Sequence, residues 1–220
     1  MGEKLRLLVV GVGLLAFPAA ADAGPLIYRI TPLSTDIDFS IGVLGVSTAR
    51  GAFTQFSGTL ALDLDSPENS TVEVDIDTRS ADCDWLQMGG LVRSEDFLDV
   101  EHFPDMVFRS GRVTSIGANR IRLDGDLTLK GVTHRQSLVA ILETRHRNPE
   151  TAADEAVFAV EGELRRSDYG MTADNGWIAE TVSMRIRARL VLPAPPDLAQ
   201  TNIARAGIAE AELTPGVPVP

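Results

Sequence analysis

The sequence has little of the side-chain chemistry on which enzymes and metalloproteins depend. It contains one cysteine and three histidines in 220 residues. Cys83 cannot form an internal disulfide, so packing must supply the stability, and with no cation beside it a structural thiol is predicted. No two of His102, His134 and His146 stand at metal-ligand spacing, and no G-x-S-x-G motif occurs. The sequence therefore predicts no catalytic residues, no metal site and no cofactor.

Long apolar and long helical segments are missing after the amino-terminal region. No later run could span a membrane, and no extended 3.6-residue period occurs, which excludes an α/β architecture. Residues 1–23 combine Lys4 and Arg6 with an apolar run and a small-residue ending, which predicts a cleaved secretory signal. An uncleaved anchor is the alternative. We expect one domain over residues 24–193 and a flexible tail over residues 194–220.

Positive charge is scarce relative to negative charge. The chain has 20 Lys and Arg against 31 Asp and Glu, a formal net charge of −11. An acidic surface disfavours nucleic acid and anionic membranes as partners, and stable membrane insertion is not expected. Acidic pairs such as Asp124 and Asp126 share the solvent face of a strand, so they are not interpreted as glycosidase carboxylates.

Short runs of alternating apolar and polar residues fill the sequence from Ile27 to Leu192. In the last run Met184, Ile186, Ala188 and Leu190 alternate with three arginines, which predicts a strand with one dry face and acidic neighbours beside the other. About eight or nine such strands fit a small barrel or a two-layer sandwich, and periodicity alone does not decide between them. One short helix is expected over Asp82–Met88, ended by Gly89 and Gly90.

Four motifs occur in a fixed order along the chain: FSIGVLGVSTARGAFTQFSG from Phe39 to Gly58, RSEDFLDVEHFPDMVFRS from Arg93 to Ser110, GDLTLKGVTH from Gly125 to His134, and RSDYGM from Arg166 to Met171. Together they resemble the YceI-like family of periplasmic barrels that bind polyisoprenoids. The family's strand histidine is Val43 here, so polar or metal roles of the family histidines are not carried over.

The resemblance implies an all-β fold, a lipocalin-like antiparallel eight-stranded β-barrel with one short helix. It also implies a non-catalytic periplasmic carrier, secreted through the signal peptide, for a hydrophobic polyisoprenoid, quinone or fatty-acyl lipid. A homodimer is left open.

Apolar side chains on the inner faces of the strands either fill such a barrel or surround a channel, and the sequence leaves both open. The resemblance favours the channel. The predicted ligand-binding residues are Phe39, Ile41, Val43, Phe53, Phe56, Phe97, Phe108, Leu127, Leu129, Phe158, Tyr169 and Met171. The RSDYGM motif has two interpretations: a rim that orients a polar headgroup through Tyr169, or a local salt-bridged turn.

Two alternative functions come from other classes. YceI-like domains also occur joined to cytochrome b561-type proteins, which implies an accessory of a membrane redox protein. A hydrolase is the other alternative, and it predicts that substitution of Ser94, His134 or Asp168 abolishes turnover of an ester while the fold stays intact.

Overall fold

The fold is built almost entirely from antiparallel strands. The computed structural model describes residues 25–63, 66–84, 88–149, 153–173 and 176–192. The strands are β1 Leu26–Ile30, β2 Thr35–Val43, β3 Ser47–Phe53, β4 Phe56–Leu62, β5 Thr71–Asp77, β6 Ala81–Cys83, β7 Asp105–Gly117, β8 Arg120–Leu129, β9 Val132–Arg147, β10 Asp154–Arg165 and β11 Ile178–Leu192. One helix, α1, covers Met88–Arg93, and 3₁₀ turns cover Pro67–Asn69, Thr78–Ser80 and Arg166–Tyr169. The predicted all-β class with one short helix is confirmed.

The strands form one curled sheet whose order is β1-β4-β5-β7-β8-β9-β10-β11-β2-β3-β6. β1 leads into β2 through Thr31–Ser34, and β3 leads into β4 through Thr54 and Gln55, so the two ends of the sheet are covalently joined. β1 and β2 together form one bent strand, and β3 and β4 form the next. The two bent strands run antiparallel to each other, so that β1 pairs with β4 and β2 pairs with β3. The count of eleven strand segments differs from the predicted eight because bends divide the first, second and third long strands into β1–β2, β3–β4 and β5–β6.

Side chains along β11 alternate between exposed and more buried, and this alternation explains how β11 packs where it pairs with β2. Its odd-numbered arginines point outward, where Arg185 pairs with Glu161 at 2.9 Å and Arg187 pairs with Glu143 at 3.2 Å. Exposed pairs of this kind contribute about 0–1 kcal/mol each. The apolar residues on the other face therefore specify the packing, and Leu190 among them is only 5% exposed.

The predicted helix position is wrong. Asp82 lies in β6, where it pairs with Ala52 of β3, and the helix begins at Met88, where the prediction ended it. Gly89 and Gly90 lie inside the helix. Gly89 is buried, and a Cβ on it would lie 3.3 Å from Oδ1 of Asp82. The pairing of Asp82 with β3 and the close approach of Gly89 to Asp82 outweigh the weak helix preference of the local sequence.

The predicted signal peptide and carboxy-terminal tail lie outside the described residues. Among the residues that are described, no helix is long and apolar enough to cross a membrane.

Candidate ligand-binding cavity

The inner faces of the strands surround a main cavity of about 170 Å³. Every strand except β6 contributes to its wall. Protein cores normally leave few voids larger than a water molecule, and an engineered apolar cavity of ~150 Å³ is large enough to bind benzene. The interior is therefore hollow, which decides a point that the sequence left open.

Small side chains at selected inward positions make this space. Ala140 on β9 and Ala188 on β11 line the main cavity, between larger neighbours such as Val160 and Ile186. Large residues fill the rest of the interior: Phe56 lies away from both cavities, Ile76 and Met106 reach the cavity wall, and all three are at least 91% buried in the main hydrophobic cluster. The cavity follows from this uneven distribution of side-chain volume around the ring of strands.

A second, helix-side cavity of about 90 Å³ lies at the end of the interior that α1 covers. Leu91 and Val92 of α1 line it, together with Leu98 and Met171. The two cavities share four lining residues: Phe39, Phe53, Met106 and Met184.

The surface that faces the helix-side cavity is apolar, although Arg166 is among its lining residues, and the surface of the main cavity is almost entirely apolar. Buried polar groups on the main cavity wall are few. Thr35 is 5% exposed and Ser70 is 7% exposed, and the hydroxyl of Ser70 accepts a hydrogen bond from the backbone N–H of Asp63 at 3.0 Å. Asp38 also borders the main cavity, but it is an exposed residue, and partial desolvation, followed by the charge of Asp36, raises its pKa. Shape and apolar surface are thus the means of recognition that this interior offers.

Nine of the twelve predicted ligand-binding residues line these cavities. Those on the main cavity are Phe39, Phe53, Phe108, Leu127 and Phe158. Those on the helix-side cavity are Phe39, Ile41, Phe53, Phe97, Leu129 and Met171. The other three, Val43, Phe56 and Tyr169, are buried in the wall, away from both. That these side chains bind a ligand stays a prediction.

Sequence reasoning missed several lining residues. They are Leu123, Leu138, Val160, Met184 and Ile186 on the main cavity and Leu91 and Val92 on the helix-side cavity. The alternation signal was present for the strand residues, since Met184 and Ile186 lie on the dry face of β11. For Leu91 and Val92 no signal existed, because the helix was predicted in the wrong place.

The RSDYGM motif forms the 3₁₀ turn between β10 and β11. Arg166 is 4% exposed, and its guanidinium donates hydrogen bonds to the carbonyl oxygens of Met171 at 2.6 Å, Ala173 at 3.0 Å and Ala179 at 3.1 Å. Its Nε lies 4.0 Å from a carboxylate oxygen of Glu180. Among the described contacts the acidic partner of Arg166 is Glu180 and not Asp168, and the turn is held by this ion pair together with the carbonyl acceptors.

Tyr169, the proposed headgroup donor, is only 1% exposed and lines neither cavity. Its ring packs edge-on against His134, with the ring centroids 5.3 Å apart. Its hydroxyl has no hydrogen-bond partner within the described part of the chain. Burial, and to a smaller extent the charge of Asp168, raises the pKa of Tyr169 to about 12, so the side chain stays neutral.

The residues of the hydrolase hypothesis are not joined into a catalytic arrangement by any described contact. Ser94 Oγ donates to the carbonyl of Leu91 at 2.7 Å. His134 Nε2 donates to the backbone carbonyl of Asp168 at 2.9 Å, not to its carboxylate. No cluster of three potential metal ligands occurs in the ranges that the structure describes.

An antiparallel barrel around apolar cavities is the architecture of small hydrophobic-ligand-binding proteins such as the lipocalins. The chain belongs to the YceI-like domain family, whose model matches residues 28–190. Protein YceI of Salmonella arizonae is 33% identical over 150 residues, which are 68% of this chain and 78% of that protein.

Two solved structures show the same fold. BcnA of Burkholderia cenocepacia superposes with a TM-score of 0.62 at 18% identity, covering 71% of this chain and 96% of that one. A polyisoprenoid binding domain from Saccharophagus degradans superposes with a TM-score of 0.53 at 12% identity, covering 77% of this chain and 99% of that one.

Proposed function

We propose that this protein binds a polyisoprenoid-like lipid inside the barrel and carries it in the periplasm without chemically altering it. The observation that carries the proposal is the main cavity of about 170 Å³ with its almost wholly apolar wall. Membership of the YceI-like family supports it. So does the fold shared with the Saccharophagus degradans domain, which is described as polyisoprenoid binding.

Hydrophobic burial supplies enough free energy for such binding. Removing ~300 Å² of apolar ligand surface from water is worth about 7 kcal/mol before the costs of association. No charged or hydrogen-bonding group is needed for this contribution. The walls present almost no polar surface, so a lipid is expected to enter tail first and keep its headgroup outside both cavities.

The periplasmic location and the carrier role rest on the sequence features of residues 1–23 and on the family. The absence of a joined nucleophile and base among the described contacts favours binding over hydrolysis.

Saturable binding of a prenyl chain to delipidated protein is the test. Wild type should bind farnesol or a longer prenol with a defined stoichiometry in a dye-displacement titration. Ala188→Phe, which places a ring in the main cavity, should lose this binding. Val191→Phe is the matched control, because Val191 lies on the same strand and is 57% exposed. Non-saturating uptake by wild type, or equal binding by all three proteins, would contradict the proposal.

A further inference from the structure

Four side chains divide the apolar interior between the two cavities. Phe39, Phe53, Met106 and Met184 come from β2, β3, β7 and β11, and they are the only residues on the walls of both cavities within the described part of the chain. We call this set the partition. Each cavity taken alone holds no more than a short segment of a long chain, since ~150 Å³ accommodates a molecule of benzene size.

The partition has a fixed half and an accessible half. Phe53 and Met106 are 9% and 5% exposed and belong to the main hydrophobic cluster. Phe39 and Met184 are only half-buried, and they pair directly across the β2–β11 ladder. Methionine is unbranched and adapts its shape easily, so Met184 is the member that can move aside at the smallest cost.

Phe53 and Gly51 position the ring of Phe39. Its ring contacts that of Phe53 with centroids 5.3 Å apart, and it lies over Gly51, its pairing partner on β3. A Cβ on Gly51 would lie 2.3 Å from Cζ of Phe39, so the ring occupies space that only glycine leaves free. The aromatic side of the partition is therefore positioned by the backbone.

We propose that the partition sets the length of lipid chain that this protein accepts. A short chain occupies one cavity and stops at Phe39 and Met184. A longer chain gains further apolar burial only when these two side chains turn aside and the cavities join. The inference rests on the proposed lipid-binding function, and it assigns to Phe39 and Met184 the role of specificity determinants within it.

Chain-length profiles of two opened variants test this proposal. Dissociation constants are measured for geraniol, farnesol, geranylgeraniol and the nine-unit prenol solanesol, by dye displacement on delipidated protein. In wild type, affinity should stop increasing with prenol length once one cavity is filled. In Met184→Ala, the gain from the shortest to the longer prenols should be roughly tenfold larger, because each additional CH₂ buried is worth about fourfold in affinity. Phe39→Leu opens the partition from the other side and should change the profile in the same direction.

Val160→Ala is the matched control. Val160 lines the main cavity on the adjacent strand β10 but is not part of the partition. This variant should raise or lower the affinity for all prenols by a similar factor and leave the dependence of affinity on chain length unchanged. Circular dichroism establishes that each variant is folded.

The proposed lipid binding and the role of the partition would be contradicted by different results. If wild type binds no prenol, the proposed function is wrong and the partition loses its role with it. If wild type binds prenols but the folded opened variants keep its profile, only the partition inference is wrong. A profile shifted equally by Val160→Ala would also overturn it, because cavity volume and not the partition would then set the length.

Discussion

Filling the main cavity should stabilise the protein and at the same time weaken the proposed binding of a prenyl chain. Ala140 lies on the wall of this cavity, opposite Val160 on β10 and Ile121 on β8. Ala140→Leu places three more carbon atoms in a space of about 170 Å³. At ~0.8 kcal/mol per buried CH₂ the upper limit of the gain is about 2.4 kcal/mol.

Some of that gain is lost to imperfect rotamers and local adjustment. A net stabilisation of about 1–2 kcal/mol remains, which raises the melting temperature by roughly 3–6 °C for a domain of this size. Prenol affinity should fall at least about tenfold, because the leucine occupies the ligand's space. The protein must be delipidated first, since a bound lipid would stabilise wild type selectively.

Ala156→Leu is the control for this prediction. Ala156 is also an alanine facing inward, but it is 1% exposed, lines neither cavity, and packs behind Leu62 and Leu190, which line the main cavity. Overpacking there should destabilise the protein by about 1–3 kcal/mol. A loss of melting temperature in both leucine variants would show that the site of Ala140 is already filled, and it would refute the hollow interior.

Variants at three further positions test the contacts that hold the wall. Arg166→Met leaves buried carbonyls unsatisfied and should lower the free energy of urea unfolding by at least about 3 kcal/mol; Arg166→Lys should not rescue it, since one ammonium cannot reach the same acceptors. Gly51→Ala should destabilise by about 1–3 kcal/mol in the same assay, because its Cβ would lie 2.3 Å from both Phe39 and the carbonyl oxygen of Asp82. The hydrogen bond from Ser167, followed by nearby arginines, lowers the pKa of Glu180. Its stabilising contribution is thus complete above the ordinary pKa of 4.5 and is lost as the pH falls through the lower folded-state value. Melting curves of Glu180→Gln should lack this part of the acid dependence; curves parallel to those of wild type would contradict it.

The direction in which each strand residue faces could be predicted from the sequence, because a strand turns successive side chains to opposite faces. Leu127 and Leu129 are inward and 4% and 2% exposed, as the alternation in GDLTLKGVTH indicates. The closing of the strands into a barrel came from the family resemblance, because a sandwich produces the same alternation.

The hollow interior could not be predicted from local pattern. Cavity volume depends on the sum of side chains that converge from all strands, and alanines at positions 140 and 188 have meaning only opposite their spatial neighbours. The strand count was wrong for a related reason. Bends such as the one at Thr54 and Gln55 leave the alternation on either side intact, so nothing in the pattern marks them.

The RSDYGM motif shows how a polar side chain can line an apolar cavity, because Arg166 lies on the wall of the helix-side cavity while its guanidinium donates to backbone carbonyls. Residues 171–173, which follow the 3₁₀ turn after β10, lie outside any strand, so their carbonyl groups have no ladder partners. Arg166 donates to the carbonyls of Met171 and Ala173 from inside the wall. Leaving those acceptors unpaired beside the helix-side cavity would draw water into it. The buried arginine thus satisfies these carbonyl groups within the wall of the helix-side cavity, whose surface is apolar.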